Sequence, residues 1–301
     1  MRTTIRVPAT TANLGPGFDC LGLALDLWDE VAFEIDPADP AQTIAIRGFG
    51  EGALPEDSSN LVLQAFNEVY HHIGRSQVGV RARAYNGFPI GSGLGSSAAA
   101  ITAGVLAAAA AASSEGDRID AFRIAAAIEG HPDNIAAALY GGLTISLMDG
   151  DRPVSAPVPT AAGWRAGVVV PALEITTAAM RRALPARVPF EAAVHNLGRT
   201  AMVVRAFETG DDDLLRTAMA DRLHQPYRLP LIPGGAAAMR AAVEAGAAAA
   251  LSGAGPGLVA FSTSREVVSA AVGRMRAVFE AEAIETWGWE GGISARGAGR
   301  R

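Results

Sequence analysis

The spacing of hydrophobic and polar positions changes several times along the chain, and each change marks a new element. Alternating apolar positions predict short strands over residues 5–9, 29–35 and 43–47, the first broken by a tight turn region over 10–17. The run Asp57, Ser58, Ser59, Asn60 offers N-cap oxygens, so a helix is expected from there to about His72. Alternation returns over 78–85 and leads into a glycine-bearing stretch, after which an alanine-rich helix should run to about Ser113. A second helix is expected after Asp117, ending near Glu129 and Gly130, where glycine suits a C-cap. A third starts at 131–134, and the glycine pair at 141–142 stops it before a strand over 143–148.

Prolines and glycines gather over 149–163, which predicts a boundary between two domains, 1–155 and 156–301. The second half reads as a strand over 165–170, a helix over 177–184 and further helices through Arg240. Two short apolar strands around another glycine turn follow within 247–261, then a helix over 264–281 and a strand over 284–289. Strands and helices mix without strict alternation, which predicts the α+β class.

Composition narrows the function classes. Of 301 residues half are hydrophobic and 19% charged, as in a globular chain with a large core. A net charge of −6 with no basic run argues against nucleic acid as a partner. The apolar stretch over 98–112 is shorter than the roughly 20 residues of a bilayer span, so no membrane partner is expected. The lone Cys20 has no internal disulfide partner and the N-terminus is polar, which together predict a cytoplasmic protein. The five histidines show no H-x-x-x-H spacing. Oligomeric state is not fixed by the sequence, a homodimer being one state open to it.

The candidate chemistry centres on P-I-G-S-G-L-G-S-S-A-A-A at 89–100. Pro89, Ile90 and Gly91 open the loop, Ser92, Gly93, Leu94 and Gly95 carry it, and Ser96, Ser97, Ala98 and Ala99 start the helix. A glycine loop emptying into a helix N-terminus aims unpaired N–H groups at one point, where the helix dipole favours an anion. Such a site suits phosphate. The chain has no lysine, which excludes the P-loop, protein-kinase and pyridoxal-phosphate classes. A dinucleotide fingerprint fails at its third glycine, where Ser96 stands, although Glu115 lies about twenty residues on as that pattern asks.

Three glycine segments, at 11–22, 89–100 and 251–257, occur in the order that resembles the GHMP small-molecule kinases. The branch that phosphorylates homoserine is the most similar. It is marked by T-T-A-N-L-G-P-G-F-D-C-L-G at 10–22, E-G-H-P-D-N at 129–134, T-A-A-M-R-R-A-L-P at 177–185 and D-R-L-H-Q-P-Y-R at 221–228. The resemblance implies a two-domain fold, a mixed α/β nucleotide-binding half followed by a ferredoxin-like half, with ATP and Mg²⁺ as cofactors and homoserine as substrate. It places ATP on the 89–99 loop, with Asn60, Leu61 and Val62 at the adenine, and Mg²⁺ at Ser97 and Glu129. Asn13 and Asp19 match positions near the amine and hydroxyl of homoserine. Arg181 and Arg228 match the pair that grips its carboxylate, and His131 a further contact. Thr177, Ser97, Glu129 and Asn134 fall with the catalytic positions.

The chain departs from the family twice. Asn134 stands where several relatives carry an aspartate base, so Asp133 or no base at all would serve. Gly257 replaces a usual threonine, with loop shape expected to be kept. Rival readings are a GHMP kinase for another small alcohol, a nicotinamide-dependent dehydrogenase, and a silent ATP-binding regulator.

Overall fold

The computed structural model describes residues 1–113 and 119–301. Glu115 and the helix start expected at Asp117 lie outside the described residues. The first strands are β1 (Arg2–Ala12), β2 (Leu21–Asp36) and β3 (Gln42–Gly48), followed by helix α1 (Leu61–His72) and β4 (Gly79–Asn86). Then come α2 (Ser96–Ser113), α3 (Ala121–Glu129), α4 (Pro132–Tyr140), β5 (Leu143–Asp149) and β6 (Arg152–Val158). The second half holds β7 (Arg165–Pro171), α5 (Thr177–Arg182), α6 (Phe190–Thr209), α7 (Asp212–Ala218), α8 (Gln225–Arg228) and α9 (Gly235–Glu244). It closes with β8 (Ala248–Leu251), β9 (Leu258–Ser262), α10 (Arg265–Ala281), β10 (Thr286–Gly292) and β11 (Gly299–Arg300).

Two sheets carry the fold. The seven-stranded sheet is ordered β11-β1-β2-β4-β3, with β5 joining β2 and β6 joining β5. Among the described residues, β3 and β4 are the one parallel pair of this sheet and the other pairs are antiparallel. The four-stranded sheet, order β10-β7-β9-β8, is wholly antiparallel. With helices between β7 and β8 and α10 between β9 and β10, this is the β-α-β-β-α-β ferredoxin-like path.

Three differences from the expected elements have physical causes. Residues 10–12 continue β1 instead of turning, because Thr10, Thr11 and Ala12 stay paired with Ala24, Leu23 and Gly22 past a register shift after Pro8. The proline-rich 152–158 segment is a strand, not a linker. It lies at the sheet edge, where a missing N–H breaks no ladder, and Pro153 and Pro157 face Met148 and Thr144 of β5. The boundary expected at 155/156 therefore falls inside β6, and the change of sheet comes between Val158 and Arg165. The C-terminus then returns to the first sheet, as β11 pairs Ile5 with Arg300.

Local chemistry explains the helices that frame the site. Asn60 caps α1, its Oδ1 accepting from the Val62 N–H at 3.0 Å, and Val62, Phe66 and Val69 bury the inward face. By length and composition α2 could cross a membrane, but most of it is buried in the protein beneath the seven-stranded sheet and against α1.

Candidate active site

The phosphate loop ends at Gly95, and Ser96 opens α2. Gly93 and Gly95 have φ of 82° and 71°, left-handed values that other residues rarely hold. Neither has room for a side chain: a Cβ would lie 2.1 Å from the Ser252 carbonyl oxygen at Gly93, and 2.0 Å from Thr10 Oγ1 at Gly95. The loop is thus clamped between β1 and the third glycine segment. Ser252 donates through Oγ to the Gly93 carbonyl at 2.8 Å, and Gly257 N–H donates to the Ser92 carbonyl at 3.0 Å.

Gly257 refines the expectation made for it. A Cβ there would meet the Ser92 carbonyl oxygen at 2.4 Å. Glycine brings the two loops closer than a threonine would permit, so loop shape here depends on it.

Two cavities share Ser96 and Ser97 as a wall. The first, about 260 Å³, is mostly apolar, lined by Val31, Ile44, Ile46, Leu54, Val62, Ala84 and Ala99. Asn60, Leu61, Val62, Ile90, Ser96, Ser97 and Ala99 of the sequence reading line this cavity. Asp29 and Asn86 line it too, and sequence reasoning missed both. Each sits in an ordinary strand, with no motif to mark it; the one signal was an acid on the inward side of an alternating run.

The second cavity is polar and about 80 Å³. It brings together Asn13, Asp19, Gly91, Gly93, Gly95, Glu129, His131, Asn134, Thr177, Arg181 and Arg228, with Asp133 added. Asn13, at φ 70°, accepts the Asp19 N–H through Oδ1 at 2.9 Å and donates through Nδ2 to the Gly253 carbonyl at 2.7 Å. Its amide therefore ties the first glycine segment to the third. Asp19 accepts two bonds from Arg181, Nη2 to Oδ1 at 3.0 Å and Nη1 to Oδ2 at 3.3 Å, a fork geometry that only guanidinium offers. Among the described residues, buried Arg181 Nε has no hydrogen-bond partner.

Arg228 is 1% exposed and far from a surface arginine. The 221–228 motif exists to hold it. Asp221 accepts the N–H groups of Leu223, His224 and Gln225 and so fixes the turn into α8. His224 is anchored on the Gly15 carbonyl through Nε2 at 2.8 Å and faces Arg228 Nη1 through Nδ1 at 3.3 Å. Burial, and then the charge of Arg181, lower the Arg228 guanidinium to about 10. Phe18 lies under both guanidinium groups, 6.0 Å from Arg181 and 5.1 Å from Arg228, where its ring face favours cations. Phe18 and His224 both stand inside quoted motifs, so the signal was present and unread.

Near the loop, Ser97 Oγ donates to Glu129 Oε1 at 2.6 Å. Burial raises the Glu129 carboxyl above its ordinary range, opposed by this bond and by Arg181. Thr10 Oγ1 donates to Asn134 Oδ1 at 2.7 Å, which fixes the amide with its N–H groups turned away from Thr10. Asp133 is 2% exposed, and burial pushes its carboxyl up to about 7, with Asp19 and Glu129 adding to the rise and the Asn134 N–H and Arg181 opposing it. Burial likewise lowers His131, helped by Arg181. Thr176 spends its hydroxyl capping α5, while Thr177 lines the cavity. Pro89, Ser92, Leu94 and Ala98 line neither cavity; Ser92 donates to the Pro89 carbonyl at 2.6 Å, and Leu94 and Ala98 are buried supports of the loop.

A glycine loop at a helix N-terminus, with an apolar slot on one side and a charged pocket on the other, defines a class: small-molecule kinases. The models for the GHMP kinases N terminal domain and GHMP kinases C terminal match residues 60–142 and 203–281, and the chain belongs to this family. Similar proteins include the homoserine kinase of Moorella thermoacetica, 43% identical over 87% of this chain and 88% of that one. A homoserine kinase of Thermus thermophilus is 44% identical over 86% of this chain and 87% of its own. Among solved structures, the homoserine kinase of Cytophaga hutchinsonii superposes with a TM-score of 0.89 at 30% identity, covering 100% of this chain and 97% of that one. The mevalonate kinase of L. major, at a TM-score of 0.68 and 18% identity over 97% of this chain and 95% of that one, shares the fold.

Proposed function

We propose that the chain is an ATP-dependent kinase that phosphorylates the side-chain hydroxyl of L-homoserine to O-phospho-L-homoserine, a step toward threonine, in the cytoplasm. The observation that carries the reading is the charge arrangement beside the phosphate loop. Asp19 offers an anion to an ammonium, and two arginines within the same pocket offer cations to a carboxylate. An amino acid held at both ends presents its hydroxyl at one fixed distance.

In this reading the apolar cavity takes the adenine and the N–H groups of the loop and α2 cradle the phosphates. Ser97 and Glu129 place two hard oxygens 2.6 Å apart beside the loop, which suits Mg²⁺, a cation needing one or two protein ligands. When bound, Mg²⁺ neutralises charge on the transferring phosphate. Asn134, oriented by Thr10 and donating one amide N–H to Asp133 Oδ1 at 3.4 Å, keeps its other N–H for developing charge, and no base is required when positioning and electrostatics carry phosphoryl transfer. The competing arrangement uses Asp133 as base, favoured by a carboxyl raised to about 7 in the cavity wall.

A coupled ADP-release assay across homoserine, serine, threonine, mevalonate and galactose tests the proposal. Homoserine should be turned over best. Serine, one methylene shorter, misplaces its hydroxyl by about 1 Å or more and should lose roughly a hundredfold. Equal rates with serine, or preference for mevalonate or galactose, would overturn the substrate assignment.

A further inference from the structure

The apolar cavity holds one acid that the phosphate chemistry does not use. Asp29 lies on β2 in the inward row with Val31, Phe33 and Ile35, and it is 6% exposed. Its Oδ1 accepts the Gly87 N–H at 2.7 Å, and among the described residues no hydrogen bond reaches Oδ2. The amides nearby are spent on protein: Asn60 donates to the Pro55 carbonyl and accepts from the Val62 N–H, and Asn86 donates to the Phe49 carbonyl. Among the described residues, no charged side chain other than Asp29 lines the cavity. Glu30, the next residue, points to the opposite face and pairs with Arg6 and Arg301. Burial pushes the Asp29 carboxyl up to about 7, the Gly87 N–H opposing it, so both the protonated and the ionised forms are populated near neutrality.

Resting on the reading of this cavity as the adenine site, we infer that Asp29 selects the base, pairing through its carboxyl with the exocyclic amine of adenine and the ring nitrogen beside it. The adenine edge presents a donor next to an acceptor. A protonated carboxyl presents the matching acceptor and donor, and Oδ1 keeps a lone pair after accepting from Gly87. Guanine puts a carbonyl oxygen where adenine has its amine, and an unsubstituted purine has no group there. Among the described residues the slot's other polar side chains, Ser59, Asn60, Asn86, Ser96 and Ser97, each hydrogen-bond to the protein, and this carboxyl is its one ionisable group to tell these edges apart.

The test is the KM for ATP, GTP and purine riboside triphosphate at saturating homoserine, in the wild type, Asp29→Ala and Asp29→Asn. In the wild type, purine riboside triphosphate should have a KM roughly tenfold above that of ATP, the worth of one hydrogen bond to a buried group. Asp29→Ala should raise the ATP KM about tenfold more than that of purine riboside triphosphate, which loses only the bond to its ring nitrogen. Asp29→Asn keeps an acceptor for Gly87 and supplies an amide donor and acceptor, so it should restore the preference for ATP. It should also abolish the rise in wild-type ATP KM expected as pH passes through about 7. A KM increase shared equally by ATP and purine riboside triphosphate would reduce Asp29 to a prop for Gly87 and overturn the inference. So would a wild type that treats the two nucleotides alike. ADP release with none of the three would overturn it at the level of the nucleotide site itself, an outcome distinct from loss of selectivity.

Discussion

The two cavities on either side of Ser96 and Ser97 are built by different means. The apolar cavity is a gap in a packed layer: β2, β3 and β4 form its floor, α1 and α2 its walls, and most of its lining would be core in any protein. The polar cavity is made where turns meet, from residues 13 and 19, the loop before α2, the start of α4, α5, α8 and residues 253–254. Its charges hold one another, Asp19 against Arg181 and His224 against Arg228. Asp29 and Asp133 express the contrast. Both carboxyls are raised to about 7 chiefly by burial, but charged groups also act on Asp133 and none is resolved at Asp29. A slot in a core tolerates a change of shape, whereas a cluster of mutually paired charges fails when one member is removed.

The largest expected effect breaks the polar side alone. Arg228→Ala removes a guanidinium that is 1% exposed, takes away the contacts of the Met180 carbonyl and His224 Nδ1, and leaves the Gly253 carbonyl to Asn13. The homoserine KM should rise by the equivalent of about 2–5 kcal/mol while the ATP KM stays nearly unchanged. A shifted ATP KM with a normal homoserine KM would move Arg228 to the nucleotide. Arg181→Ala should act in the same direction and also leave Asp19 unpaired.

Asn134→Ala comes next, since it removes an amide fixed by Thr10 without touching either arginine. Loss of one oriented donor at developing charge costs roughly 3–4 kcal/mol, read as a fall in kcat of about 100- to 1,000-fold. Asp133→Asn should keep most of kcat. If it instead loses about 100-fold or more with unchanged homoserine affinity, Asp133 is the base and the base-free reading falls.

The same contrast explains how much was legible in the sequence. Residues of the polar cavity sit on turns whose glycines, prolines and caps form contiguous motifs, so resemblance pointed to Asn13, Asp19, Arg181 and Arg228, which all line it. It did not point to their helpers. Phe18 acts through space on arginines far along the chain, which spacing does not encode, while His224 stands four residues before Arg228 in the same motif and went unread. In the apolar cavity the lining comes from alternating strands, where Val31 and Ile44 read as core and Asp29 as a strand-end acid. The α+β character was readable from strands and helices that mix without strict alternation. The β6 strand was not, because its two prolines signal a linker locally and are permitted only by its edge position.

A smaller effect tests the clamp between the cavities. Gly257→Thr restores the residue that the family pattern usually carries, but its Cβ would lie 2.4 Å from the Ser92 carbonyl oxygen. The loop must retreat or strain, at about 1–3 kcal/mol of stability. Because the loop is read as the cradle of the ATP phosphates, the ATP KM should rise more than the homoserine KM. An unchanged melting temperature and ATP KM would show that the two loops can part without cost.

The smallest expected effect compares the two buried acids directly, by their pull on stability. Each carboxyl titrates near 3.8 when unfolded and at about 7 when folded, so between those values the folded state holds the extra proton. Stability contributed by that proton is complete below about pH 3.8, falls as pH rises, and is gone above about 7. From about pH 6 to about pH 8 each acid should cost on the order of 1 kcal/mol, and the neutral variants Asp29→Asn and Asp133→Asn should each remove its own share of that slope. Salt separates them. The shift at Asp29 comes from burial with no charged neighbour, and its share should not change with ionic strength. The share of Asp133 includes Asp19, Glu129 and Arg181, partly open to screening, and should change. Chemical denaturation of the wild type and both variants across this pH range, at low and high salt, measures all of this. Equal salt sensitivity at the two positions would mean that the apolar cavity is less isolated from charge than its lining indicates.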